Sequence, residues 1–163
     1  MKRKILRFPH PVLRKKAKAV KKVTPEICKL ITEMIAIMHD APGIGLAAPQ
    51  VGESIRVIVV DIGQGPIVVI NPKVVKKSGA QTFVEGCLSL PGVEAPVERA
   101  SSVIVKGLDK AGNPVEHEAH DLLATVFQHE IDHLDGHVFI DRVSDPSLIK
   151  FVKFETETKE ELL

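Results

Sequence analysis

The run Gln128-His129-Glu130-Ile131-Asp132-His133 sets two imidazoles four residues apart with a glutamate beside the first. On a helix, four residues turn through about 400°, so the rings lie about 40° apart on one face and about 6 Å apart along the axis. Both can bind one metal ion, with Glu130 next to them as a proton acceptor. A metal needs at least one more protein ligand. Cys87, inside Glu85-Gly86-Cys87-Leu88-Ser89, is the natural choice. Two imidazoles and a thiolate leave a fourth position for water, which marks a catalytic site; a structural zinc module would need a fourth protein ligand. Such a metal polarises a carbonyl and makes hydroxide available near neutral pH.

The elements that must position these groups are legible in the periodicity. A helix is expected from about Asp121 to Asp135, with Gly136 suited to its C-terminal end. Leu123, Phe127, Ile131 and Leu134 form its core stripe, while Leu122, Val126, His129 and His133 share the other face. The pocket beside the imidazoles is therefore expected to be apolar. An earlier helix opens at Thr24-Pro25-Glu26, a hydroxyl N-cap, a first-turn proline and an acid. Ile27, Leu30, Ile31, Met34, Ile35 and Met38 follow as a core-facing stripe, ended by Asp40-Ala41-Pro42-Gly43. Ile55 to Ile62 and Pro66 to Asn71 read as buried strands, with extended segments continuing through 73–84. Ser102 to Asp109 is expected to pair with Val115 to Ala119 across Gly112-Asn113. Ser144-Asp145-Pro146 starts a last short helix, and the chain from Glu155 reads as frayed. The fold class is α+β: small antiparallel sheets packed around a central helix that carries the histidines.

Composition agrees with one globular domain over residues 1–163. Hydrophobic residues make up 44% and charged residues 26%, and no apolar run approaches the roughly 18 residues of a membrane span. Arg7, Pro9 and Pro11 interrupt any apolar signal region, so a cytoplasmic location is expected. A reducing compartment argues against a disulfide between Cys28 and Cys87, and Cys28 reads as a packing residue. Charge is uneven: residues 1–22 hold ten Lys or Arg and no acid, leaving twelve basic and twenty-one acidic residues, a net of −9, in the remainder.

Together with Gly43-Ile44-Gly45-Leu46-Ala47-Ala48-Pro49-Gln50, the two motifs above resemble the peptide deformylase family in its compact, type 1-like bacterial form. Its patterns read G-x-G-L-A-A-x-Q, E-G-C-L-S and Q-H-E-x-D-H-x-x-G, and each is present here without a gap and in order, with similarity over roughly residues 1–150. Competing metalloprotease patterns fit less well. A metzincin requires a third histidine where Phe139 stands, and a thermolysin-like ligand falls to Glu155 or Glu157, in a polar tail.

The resemblance implies a hydrolase that removes the N-formyl group from the initiator methionine of nascent chains and releases formate. It implies Cys87, His129 and His133 as metal ligands and Glu130 as general base and acid. The Gln50 amide and the Leu88 N–H are the implied oxyanion donors. Expected substrate contacts are Gly43, Ile44, Gly45, Glu85, Leu122 and Val126, with the peptide adding as a strand along Gly43 to Leu46 and Gly92 to Glu98 edging the cleft. The expected cofactor is one divalent metal ion, Fe(II) first, with zinc, nickel or cobalt as alternatives. Asp132 reads equally as a group orienting a ligand imidazole or as a solvated or capping residue. A monomer is expected, with no membrane partner. Ribosome contact, if made, is assigned to the basic N-terminal segment, because residues 146–163 carry three lysines against four glutamates.

Overall fold

The computed structural model describes residues 3–152. Helix α1 spans Pro25–Asp40, and the Thr24 hydroxyl accepts the Ile27 N–H at 3.3 Å, satisfying one of the first-turn donors. Its buried stripe is Leu30, Ile31, Met34 and Met38. Helix α2 spans Asp121–Leu134. Gly136, with φ of +80°, follows it in the left-handed conformation that closes a helix, and a Cβ there would collide with the Arg14 carbonyl.

Strands β1 (Gly45–Ala47), β2 (Val57–Val60), β3 (Ile67–Ser78), β6 (Ser102–Leu108) and β7 (Pro114–His120) form a five-stranded antiparallel sheet in the order β1-β2-β3-β6-β7. All four residues of β2 are buried. Val57 and Val59 pack with the α1 side, whereas Ile58 and Val60 pack with Val126, Phe127 and Leu134 of α2. A strand covered on both faces has no polar side, which is why this stretch reads as a continuous apolar run.

Strands β4 (Gln81–Cys87), β5 (Leu90–Arg99) and β8 (Lys150–Phe151) form a second antiparallel sheet, with Cys87 opposite Leu90 at the β4–β5 turn. Leu90, Ala95 and Val97 pack there against Val138 and Phe139, just beyond α2. The α+β architecture expected from the sequence is present, with α2 between α1's sheet and this hairpin.

Two local expectations change. The extended stretch over 73–84 divides at Gly79, where φ of +70° turns the chain, so its halves belong to different sheets. The short helix expected from Ser144 is a single 3-10 turn, Pro146–Leu148, capped by the Asp145 carboxylate, and β8 follows it. Gly92 to Glu98, expected to edge the cleft, belong to strand β5, and Gly92, Val93 and Glu94 line the cleft. The stretch from Glu155 lies outside the described residues. Both cysteines are free, and Cys28 Sγ lies 3.4 Å from the Lys110 carbonyl.

Candidate active site

Two elements meet at the site. Helix α2 presents His129, Glu130 and His133 from its buried face, and the end of β4 presents Cys87. One ligand atom from each of Cys87, His129 and His133 lies within 4.8 Å of the others, and Cys87 Sγ is 3.3 Å from His133 Nε2. The two rings meet edge-on with centroids 5.2 Å apart, close to the separation that helical geometry requires.

The donor set suits a divalent cation. Burial and the neighbouring His129 charge drive the His133 ring down to about 3, so it is the neutral imidazole that a metal requires. Burial works against a charged His129 ring, but the Glu130 carboxylate, Cys87 and Glu85 outweigh it and raise its proton affinity well above the ordinary value. Sulfur with two imidazoles is the ligand chemistry of zinc and other borderline divalent metals.

Glu130 is buried, and its Oε1 has no hydrogen-bond partner among the described residues. Burial pushes its carboxyl up to about 7, against the pull of His129. A cation at the site would draw that value down again. Gly45 is what admits this side chain: a Cβ at residue 45 would stand 2.9 Å from Glu130 Cδ, inside contact distance. Gly45→Ala should therefore displace Glu130 and lower kcat by about tenfold or more, with metal content kept. Elemental analysis beside steady-state kinetics checks this, and an unchanged kcat would show that Glu130 tolerates the methyl group.

Gln50 is 1% exposed and held at both ends of its amide. Its Oε1 accepts the Ala47 N–H at 2.9 Å, which turns Nε2 toward Ser89 Oγ at 3.0 Å and Cys87 Sγ at 3.6 Å. The Leu88 N–H makes no hydrogen bond among the described residues. Both groups named as oxyanion donors thus stand beside Cys87.

Glu85, expected at the substrate, is among the residues that line the cleft beside the cluster. Its carboxylate is taken up internally: Arg99 Nε and Nη2 donate to it at 2.6 and 2.9 Å, and His129 Nδ1 lies 2.8 Å from Oε1. Burial alone would raise this carboxyl, but the bonds to His129 and Arg99 hold it below its ordinary value. A carboxylate on Nδ1–H leaves the Nε2 lone pair of His129 facing Cys87 and fixes the ring. Asp132 touches neither imidazole. It accepts Arg99 Nη1 at 2.9 Å and both Arg142 Nε and Nη2, so it serves to neutralise the buried Arg99.

Arg99, Ser89 and Arg142 are the groups that sequence reasoning did not single out. Ser89 sits within a recognised motif, so its presence was a signal. Arg99 carried none, because its contact with Glu85 arises from β4–β5 pairing.

The cluster opens into a cleft of about 380 Å³. Gly43, Ile44, Gly45, Leu88, Leu122 and Val126 line it beside His129 and Glu130. Val126 is buried, and Leu122, 38% exposed, stands at the entrance.

Known proteins match the stretch of chain that carries these residues. A family model described as polypeptide deformylase matches residues 2–148. A peptide deformylase of Hydrogenovibrio crunogenus is 47% identical over 161 residues, covering 96% of this chain and 95% of the relative. The crystal structure of peptide deformylase from Thermotoga maritima superposes with a TM-score of 0.87 at 44% identity, covering 89% of this chain and 99% of that one. That from Legionella pneumophila gives 0.85 at 46% identity, covering 88% and 87%. Matched across nearly its whole length in sequence and fold, the chain belongs to the polypeptide deformylase family.

Proposed function

We propose that residues 1–163 form one catalytic unit that hydrolyses the N-formyl group of formylmethionyl peptides and releases formate. The observation that carries this reading is the buried Glu130, with an unpartnered carboxylate oxygen, beside a Cys–His–His cluster at the floor of an apolar cleft. Cys87, His129 and His133 would hold the metal. When bound, a divalent ion polarises the carbonyl and acidifies water. Fe(II) is the proposed native metal, with zinc, nickel and cobalt as working substitutes.

The chain's own residues supply the remaining chemistry. Glu130 takes a proton from the water as its oxygen adds to the formyl carbon. The Gln50 Nε2–H and the Leu88 N–H donate to the oxygen that becomes negative, an interaction whose loss costs about 3 kcal/mol in barrier. Glu130 then returns the proton to the amide nitrogen, the C–N bond breaks, and formate leaves with a free amine. Glu85 and Arg99 keep the His129 ring in one orientation throughout. Leu122 and Val126 give the methionine side chain an apolar wall, which an unbranched thioether fills readily. The peptide backbone lies along Gly43 to Leu46 with Ile44 and Gly45 against it.

Purified protein loaded with Fe(II) or Ni(II) should release formate from formyl-Met-Ala and leave acetyl-Met-Ala intact. Failure to hydrolyse the formyl peptide at measured full metal occupancy overturns the reading.

The proposed working place is the cytoplasm, and no helix among the described residues is long and apolar enough to cross a membrane. A monomer is proposed. For ribosome contact, the basic N-terminal segment remains the proposed surface, narrowed by its ion pairs. Arg3 is paired with Glu33 and Glu53, and Arg14 with Asp141, whereas Lys15, Lys16, Lys21 and Lys22 are exposed. Replacing those four lysines with Gln should weaken binding to ribosomes and flatten its salt dependence, with formyl-Met-Ala turnover retained. Unaltered ribosome binding in sedimentation would remove the segment from that role.

A further inference from the structure

Residues 3–8 run as a strap between the two turns that carry the oxyanion donors. The Leu6 N–H donates to the Gln50 carbonyl at 2.7 Å, and the Phe8 N–H donates to the Ser89 carbonyl at 2.8 Å. Between them, the Arg7 N–H makes no hydrogen bond among the described residues, and its side chain is exposed. Both ends of the strap are anchored. Arg3 pairs with Glu33 on α1 and with Glu53, three residues past Gln50. Ile5 packs on the cluster that holds Ala48 and Val51, and Phe8 packs beside Cys87 and Leu90. The Arg14 guanidinium lies over the Phe8 ring, 4.9 Å from its centroid.

Each turn is closed by its own bonds. In the 3-10 turn Ala48–Val51, the Gly52 N–H donates to the Pro49 carbonyl and the Glu53 N–H to the Ala48 carbonyl. The β4–β5 turn is closed by strand pairing, with Cys87 opposite Leu90. Neither set of bonds reaches from one turn to the other. The strap does. Two residues of chain span at most about 7 Å, so Leu6 and Phe8 limit how far the Gln50 and Ser89 carbonyls can separate. Across that gap the turns meet through Gln50 Nε2 and Ser89 Oγ, 3.0 Å apart. An oxyanion donor works only where the developing charge will stand, and a misplacement of about 1 Å can cost about 100-fold in rate.

We infer that Leu6 and Phe8 are positioning residues for the oxyanion: through their backbone N–H groups, the strap sets the Gln50 turn against the Leu88-Ser89 turn. The inference rests on the deformylase reading above. Leu6 acts through Gln50 and Phe8 through the turn that offers the Leu88 N–H, and neither touches the substrate. Loosening the strap weakens an interaction made in the transition state, so kcat falls while KM stays.

The test replaces one backbone N–H by oxygen, a backbone ester, which removes the donor and leaves every side chain in place. With formyl-Met-Ala as substrate, the ester at Leu6 should lower kcat about tenfold, with KM within about twofold and metal content unchanged. The same ester at Arg7, where no bond is lost, should leave kcat as it is. A double-mutant cycle supplies the readout that a merely structural role would not move. Gln50→Ala by itself costs about 100-fold in kcat, and in that background the Leu6 ester should cost less than about twofold, because the group it aims is gone. The ester at Phe8 repeats the measurement from the other turn, and Leu6→Pro removes the Leu6 donor by ordinary mutagenesis. Thermal unfolding verifies that each protein is folded at the assay temperature. An unchanged kcat in the folded Leu6 and Phe8 esters overturns the inference. So does a Leu6 loss that is as large in the Gln50→Ala background, or one that the Arg7 ester reproduces. Absence of hydrolysis by the metal-loaded wild type would instead sink the activity, and this assignment with it.

Discussion

Glu130→Gln should keep its metal and lose about 10³-fold in kcat on formyl-Met peptides, within the range that a positioned general base supplies. The amide is close in volume and shape to the carboxylate, so the packing against Gly45 survives. The three ligand side chains are untouched. What disappears is the group that takes the proton from water and hands it to the departing amine. The pH profile gives a second readout. A general base works only when ionised, so wild-type kcat/KM should rise as pH rises through the Glu130 pKa and then level off. Burial, against the pull of His129, holds that value at about 7 and a bound cation lowers it, so the acid limb should lie at or below neutrality. In the Gln variant the limb assigned to this group should vanish. A variant that turns over at the wild-type rate, or that loses its metal, removes Glu130 from the role.

Cys87→Ala should fail earlier in the sequence of events, losing metal first and activity as a consequence. Removing a ligand should weaken metal binding by more than the roughly 10- to 100-fold seen when only a supporting hydrogen bond is lost. The Sγ atom is also the meeting point of His133 Nε2 and the Gln50 amide, so its removal leaves both pointing into a void. Elemental analysis after dialysis against a weak chelator measures the effect. Full occupancy in the Ala variant would show that another group is the third ligand.

The chemistry of this protein was written locally in its sequence. A four-residue spacing on a helix brings two imidazoles together wherever that helix sits, and the cap at Thr24 and the stripes of α1 and α2 are likewise set by residues within a few turns of each other. The α+β class follows from the same periodicities, and the motif resemblance joins Cys87 and Gln50 to the histidines. What needed tertiary structure was every contact made by long polar side chains between elements. Glu85 lies in the cysteine's motif, and nothing nearby tells that its carboxylate joins Arg99 and His129. Asp132 could not be told from a surface residue until Arg99 and Arg142 reached it from β5 and from the turn after α2. Strand β8 is two residues long, with no periodicity to reveal it, and exists only because β5 offers a free edge. Local spacing determines which groups share a face. Which buried charge neutralises which depends on strands that pair across the chain, and the cost of leaving any of those charges unpaired is what makes the folded arrangement definite.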